Sequence, residues 1–157
     1  ALVHERLYQS SEVKRVAMGE YADVLLSTLY RKLVSEGLEI NLLKELGEFD
    51  LAIDLAVPCG LIINELFSNA LIHGFEGRQH GSGTVEVKLY LLAKECVIFV
   101  SDSGRGLPIE VNTEAGSMGF EIVSILVEQL EGSFRLIGGQ GTTFEVRFPV
   151  IRDGIVG

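Results

Sequence analysis

Polar and apolar positions divide this chain into helices and strands before any other property is consulted. The sharpest pattern is Ile62-Ile63-Asn64-Glu65-Leu66-Phe67-Ser68-Asn69-Ala70-Leu71-Ile72-His73-Gly74, whose apolar residues recur from turn to turn as in a helix. Glu65, Asn69 and His73 are each four residues apart and so share one face. Ile62, Leu66 and Ala70 line a neighbouring face, and Ile63, Phe67 and Leu71 widen the apolar surface. Pro58 stands where this helix is expected to begin. A carboxylate, an amide and an imidazole thus run along an apolar rod. The stripe reads either as a solvated edge or as groups facing a ligand.

The remaining pattern surrounds that helix. Leu2, Val3, Leu7, Val13 and Val16 fall among charges and predict the end of a helix over residues 1–16, which Gly19 interrupts. Tyr21, Val24, Leu25, Leu29 and Leu33 predict a second helix from Glu20 to Ser35, stopped at Gly37. Leu38 to Leu42 alternates like a strand, and a turn near Gly47 leads to Phe49–Asp54. A loop is expected over residues 76–83. Beyond it, Thr84–Tyr90 and Glu95–Ser101 predict a hairpin turning at Ala93-Lys94. A helix is expected from Gly119 to Leu130, stopped by Gly132. A last hairpin joins Ser133–Ile137 to Thr143–Val150. The sum is an α+β fold, with helices layered on one face of a mixed, mostly antiparallel sheet.

Composition narrows the function classes. With 157 residues, 47% hydrophobic content and mean hydropathy +0.32, the chain can bury one substantial core. No apolar run is expected to reach membrane-spanning length, and no signal-peptide pattern opens the chain. A net charge of −9 argues against a nucleic-acid surface. An anionic ligand would therefore depend on local backbone donors or a cation. Cys59 and Cys96 lie in apolar sequence and read as reduced core thiols of a cytosolic protein, without the paired spacing of a zinc site.

Three glycine patterns follow the striped helix. Asp102-Ser103-Gly104-Arg105-Gly106 leaves the apolar Glu95–Ser101 strand, and its glycines would let backbone approach a flat ligand closely. The Asp102 carboxylate could accept a hydrogen bond from an exocyclic amine such as that of adenine. Ala115-Gly116-Ser117-Met118-Gly119-Phe120 opens into a helix, where free N–H groups and the positive dipole end favour an anion. Gly139-Gln140-Gly141-Thr142 reads as a tight hairpin turn or a ligand edge. Each pattern also has a plain reading as a turn or cap. Their order behind the striped helix is the specific feature.

In that order the residues resemble the GHKL ATPase superfamily, which includes gyrase, MutL and the sensor histidine kinases. Asn64-Glu65-x-x-x-Asn69-Ala70 resembles its N box, Asp102-x-Gly104-x-Gly106 the G1 box, Gly116-x-x-Gly119 the G2 box, and Gly139-x-Gly141-Thr142 the GT segment. Asn64-Glu65-Leu66…Asn69-Ala70-Leu71-x-His73 and the opening Val3-His4-Glu5-Arg6-Leu7-Tyr8 are most similar to a histidine-kinase subgroup with a short lid.

The resemblance implies a two-layer sandwich of the Bergerat type that binds ATP and Mg2+ between helices and sheet. Asp102 would take the adenine amino group, Gly104 and Gly106 would shape the purine pocket, and Asn69 would hold the magnesium. Gly116, Ser117, Met118, Gly119 and Phe120 would close over the phosphates, and Gly141 and Thr142 would line the adenine end. Glu65 would act as a base or orient metal-bound water. His73 would neighbour the phosphates or pack helix against loop. Residues 1–18 would be the end of a dimerisation hairpin carrying the phosphoacceptor histidine upstream, and residues 19–157 the catalytic domain. His4 and His80 are read as surface residues. The implied partners are the histidine-bearing domain of the same homodimeric protein and a response-regulator receiver, in the cytoplasm, with no nucleic acid and no membrane contact.

Two features depart from the family pattern. Ile72 stands where relatives commonly carry a lysine, and the lid from Leu107 to Met118 contains no lysine or arginine. Two other readings therefore stay open: a serine kinase of the anti-sigma type, and a degenerate nucleotide-binding or docking module.

Overall fold

The computed structural model describes residues 14–34, 36–75, 81–103, 118–137 and 141–150. The expectations for residues 1–13, for His80 and its loop, and for most of the lid lie outside the described residues.

In chain order the elements are β1 (Arg15–Ala17), α1 (Met18–Leu33), β2 (Leu38–Leu46), β3 (Asp50–Ala52), α2 (Ile53–Gly74), β4 (Gly81–Leu92), β5 (Glu95–Asp102), α3 (Met118–Gln129), β6 (Ser133–Ile137) and β7 (Thr142–Pro149). Five strands form one sheet in the order β2-β4-β5-β7-β6, and β1 and β3 form a separate two-stranded ribbon. The β2–β4 pair is parallel and crosses over through α2, while the other pairs are antiparallel. The mixed, mostly antiparallel sheet is as expected.

Alternation explains why one face is covered. Val85, Val87 and Leu89 of β4, Ile98 and Val100 of β5, and Phe144, Val146 and Phe148 of β7 are all buried at every second position. The helices cover that face: α1 contacts β2, α2 lies over β4, β5 and β7, and α3 contacts β6. The opposite face carries Tyr90 stacked on Phe99 at 6.4 Å and an ion-pair row, with Glu145 held by Arg135 and Arg147 and Arg147 reaching Glu95. Burial alone would raise the Glu145 carboxyl. The hydrogen bond from Arg147, with the charge and hydrogen bond of Arg135, outweighs it and holds the group below its ordinary range.

Several boundaries differ from the sequence pattern for identifiable reasons. Arg15 and Val16 are extended rather than helical, because they pair with Ala52 and Leu51. Gly19 lies inside α1 rather than before it; Met18, fully buried, opens that helix and gives its N–H to the Phe49 carbonyl at 2.9 Å. Pro58 is interior to α2, not at its start. The missing N–H would have paired with the carbonyl of Asp54, an exposed first-turn residue where water can substitute. Residues 81–83 belong to β4 rather than a loop, since β2 pairs with them from Leu38 onward. At 22 residues α2 is also long and apolar enough to cross a membrane by length and composition, contrary to expectation. Its apolar residues from Ile62 to Leu71 form the centre of the protein core instead.

The α3 helix ends one residue earlier than its glycine suggests. Glu131 takes the left-handed conformation, φ 59°, and Gly132 N–H returns to the Val127 carbonyl at 2.9 Å. Cys59 and Cys96 are free and buried, as expected. A hydrogen bond with Cys59 and burial both push the Cys96 thiol far above its ordinary range, so it stays protonated.

The expected β4–β5 hairpin closes through Ala93-Lys94, with Leu92 opposite Glu95. Ala93 sits at φ 56°, a conformation that costs a residue with a Cβ about 1 kcal/mol. Ala93→Gly should therefore raise stability by about 0.5–1 kcal/mol, read as a higher urea midpoint with an unchanged slope. A lower midpoint would show that the turn is not strained as described.

Candidate functional site

Three elements meet at one end of the sheet. The C-terminal half of α2 carries the striped residues inward: Asn69 is buried, while Glu65 and His73 are half-buried. Gly74 is the last residue of this helix. A Cβ on Gly74 would lie 2.9 Å from Oδ1 and 3.0 Å from Cγ of Asp102, so the absence of a side chain is what lets the helix end touch that carboxylate. The striped helix and the end of the central strand are therefore in direct contact.

Asp102 is the last residue of β5, 8% exposed, and lies opposite Val85 on one side and Thr142 on the other. Its exit from the sheet is fixed twice. Ser103 N–H donates to the Thr84 carbonyl at 2.9 Å, and Thr84 N–H donates to Ser103 Oγ at 2.8 Å. On the other flank, Gly141 adopts φ +129°, and a Cβ there would fall 2.1 Å from the Asp102 carbonyl oxygen. Gly141 thus permits β7 to start directly against Asp102. Thr142 is buried beside it, and Ser101 Oγ and Thr143 Oγ1 share a hydrogen bond of 2.8 Å one step along the ladder.

The third element is the start of α3. Met118 and Gly119 are its first two residues. Phe120 is 3% exposed, and its ring is tilted 48° against that of Phe144 at 5.5 Å. Phe144 in turn stacks on Phe134 at 5.9 Å. The Phe120 side chain is therefore committed to the core. Its anchorage two residues from Thr142 along β7 brings the N–H-rich end of α3 to the same end of the sheet. Gly104, Gly106, Gly116 and Ser117 lie outside the described residues.

The chemistry on offer is specific. Nδ2 of Asn69 is buried and has no hydrogen-bond partner among the described residues. Either end of a side-chain amide can be the one so assigned, so an amide is held inside the protein with hydrogen-bonding or ligating capacity unspent. Among the described residues no group of three or more His, Cys, Asp or Glu side chains is arranged to hold a metal ion by itself. An amide oxygen is a suitable single ligand for a hard cation whose other ligands are water and a bound anion. The donor set thus fits a magnesium ion that arrives with its phosphates. It does not fit a resident metal cage.

Of the residues singled out from the sequence, Asp102, Gly141 and Thr142 are adjacent at the end of β5 and β7, Asn69 is buried on the helix whose last residue touches Asp102, and Phe120 at the start of α3 packs on Phe144 of β7. Sequence reasoning did not single out Gly74, although the helix-ending glycine after His73 was the available signal. It also missed the Thr84–Ser103 clasp, which no local pattern announces.

Residues 55–152 match the family described as histidine kinase-, DNA gyrase B-, and HSP90-like ATPase. The chain is 31% identical to the sensor histidine kinase PdtaS of Mycolicibacterium smegmatis, over 97% of this chain and 31% of that protein. It is 26% identical to the blue-light-activated histidine kinase 2 of Erythrobacter litoralis, over 92% of this chain and 44% of that one. The chain thus spans less than half the length of these relatives. Among solved structures, the histidine kinase domain of the Erythrobacter litoralis EL346 blue-light activated histidine kinase superposes with a TM-score of 0.76 at 26% identity, covering 85% of this chain and 61% of that one. The mycobacterial sensor histidine kinase MprB shares the fold, with a TM-score of 0.66 at 20% identity, over 87% of this chain and 96% of that one.

Proposed function

The chain belongs to the histidine kinase-, DNA gyrase B-, and HSP90-like ATPase family, and we propose that it is the ATP-binding catalytic domain of a two-component sensor histidine kinase. The transfer would take the γ-phosphoryl of ATP to a histidine on a dimerisation domain of the same protein. A receiver protein would accept the phosphoryl next, and the whole would work as a cytoplasmic homodimer. The observation that supports this reading best is the close approach of Gly74 and Gly141 to Asp102, with the unsatisfied Asn69 amide on the same helix.

Each residue of the site has a separate role. Asp102 accepts the adenine amino group, and Thr142 with Gly141 forms the edge of that pocket. Asn69 holds the magnesium ion, which when bound neutralises charge on the phosphates. Backbone N–H groups at the start of α3 complete the anion site, which matters in a chain of net charge −9. Glu65, half-buried one helical turn before Asn69, orients the attacking group or takes its proton. His73, one turn after Asn69, neighbours the phosphates. Positioning and charge neutralisation are most of what phosphoryl transfer requires. Ile72, 48% exposed where relatives commonly carry a lysine, contributes no charge, so ATP affinity should rest mainly on Asp102 and the cation.

Calorimetry tests this. Asp102→Asn exchanges a charge-assisted hydrogen bond for a neutral one, a loss of about 2 kcal/mol or about 30-fold in affinity for ATP with magnesium. GTP, with a carbonyl in place of the amine, should bind the unaltered protein far more weakly. Equal binding of ATP and GTP, or an unaffected variant, would remove Asp102 from the purine pocket. No heat from the unaltered protein would favour a docking module. In the full-length protein, an acid-labile phosphate on a histidine supports the kinase reading, and an acid-stable phosphoserine overturns it.

A further inference from the structure

The ladder between β4 and β5 ends on an exchange of acceptors. Thr84 and Ser103 stand opposite each other, one step beyond the Val85–Asp102 pair. A hydrogen-bonded pair at that position would exchange two backbone bonds, N–H to carbonyl in each direction. Here Ser103 N–H donates to the Thr84 carbonyl at 2.9 Å, but the Thr84 N–H goes to Ser103 Oγ at 2.8 Å. The serine hydroxyl stands in for its own carbonyl, and regular pairing stops with Asp102 as the last residue of β5.

This clasp holds Asp102 from the β4 side. Pairs alternate along an antiparallel ladder, so Val85 and Asp102 face each other without exchanging backbone bonds. Beyond them, the hold of β4 on this end of β5 is the pair of bonds at Ser103. Thr84 is itself a fixed anchor. It lies opposite Asn41 of β2, and the buried Phe75 ring, one residue after Gly74, leaves no room for a Cβ on neighbouring Gly83. On the other flank, a Cβ on Gly141 would come within 3.4 Å of Ser103 Cα. Asp102 is thus held between two strands, and one exposed hydroxyl decides where its strand ends.

On the reading that Asp102 accepts the adenine amine, we propose that Ser103 is a positioning residue for nucleotide recognition: its hydroxyl aims the Asp102 carboxylate at that amine. Without the hydroxyl, the Thr84 N–H takes water or the Ser103 carbonyl, and either outcome loosens or redirects the end of β5. Ser103 acts through Asp102, so its effect belongs to the purine and not to the phosphates.

Calorimetry of the 157-residue chain with magnesium tests it. Ser103→Ala should weaken ATP binding by about 3–10-fold, the net effect of one hydrogen bond. Its melting temperature should stay within about 2 °C of the unaltered protein, because the bond is exposed. Ser103→Thr keeps a hydroxyl and should bind ATP within about twofold of the unaltered protein. Purine riboside triphosphate lacks the amine, and Ser103→Ala should change its affinity by less than about twofold. Added to Asp102→Asn, the same change should likewise cost less than about twofold, since both act on one contact. Full ATP affinity in Ser103→Ala, with Asp102→Asn weakened, would overturn this inference alone. Equal losses for the two nucleotides, or a fall of many degrees in melting temperature, would overturn it too, because a merely structural role affects both. No heat from the unaltered protein, or an Asp102→Asn variant that binds ATP as well as it does, would overturn it together with the reading of Asp102.

Discussion

Asn69→Ala should lower phosphoryl transfer by about 10²–10³-fold while leaving the fold as stable as before or slightly more so. The two halves of that expectation have separate causes. Asn69 would supply the protein oxygen for the cation, and removing a preorganised group aimed at developing phosphate charge has effects of that size. Stability moves the other way because Nδ2 of Asn69 is buried without a partner among the described residues, a state that costs about 1–3 kcal/mol. Alanine is also the better helix former by about 0.5 kcal/mol, and these gains offset the small cavity left behind. Activity would be read by phosphohistidine formation in the full-length protein, and stability by thermal unfolding of the domain. A fall of many degrees in melting temperature would make Asn69 a structural residue. Retained activity would take the cation away from it.

Gly141→Ala should destabilise the domain by about 2–4 kcal/mol and weaken nucleotide binding with it. The added methyl would sit 2.1 Å from the Asp102 carbonyl oxygen and 3.4 Å from Ser103 Cα, both backbone atoms that cannot swing aside as a side chain could. A φ of +129° adds strain for any residue with a Cβ. Relief requires the start of β7 to move away from the end of β5, which carries Asp102 with it. Urea unfolding and ATP titration of the same variant check both effects. Native stability with native affinity would contradict the packing described around Asp102.

How much of this was legible follows from the range of each signal. The i, i+4 stripe of Glu65, Asn69 and His73 is local, and it correctly placed Asn69 on a helix whose other face is core. Alternation in Thr84–Tyr90 and Glu95–Ser101 gave the central hairpin and its two-residue turn for the same reason. The strand Arg15–Ala17 was not legible, because three residues carry too little pattern and their pairing is with Asp50–Ala52 far along the chain. Pro58 was misplaced because its lost hydrogen bond falls on an exposed carbonyl, a fact of tertiary position. The glycine patterns pointed to Asp102 and Gly141 as one site, but only the folded chain shows that Gly74 closes it from the helix side. Phe120 shows the converse: its loop suggested contact with phosphate, and its ring proved to be part of the core against Phe144.

Amide NMR of the domain during addition of ATP and magnesium tests most directly whether the striped helix and the end of β5 grip one nucleotide. Shifts should appear together, with one saturating dissociation constant, at residues 69–74, at 101–103 and at 141–142, and the set at 69–74 should diminish when magnesium is withheld. Shifts confined to one of these segments, or saturating at different nucleotide concentrations, would contradict a single shared site.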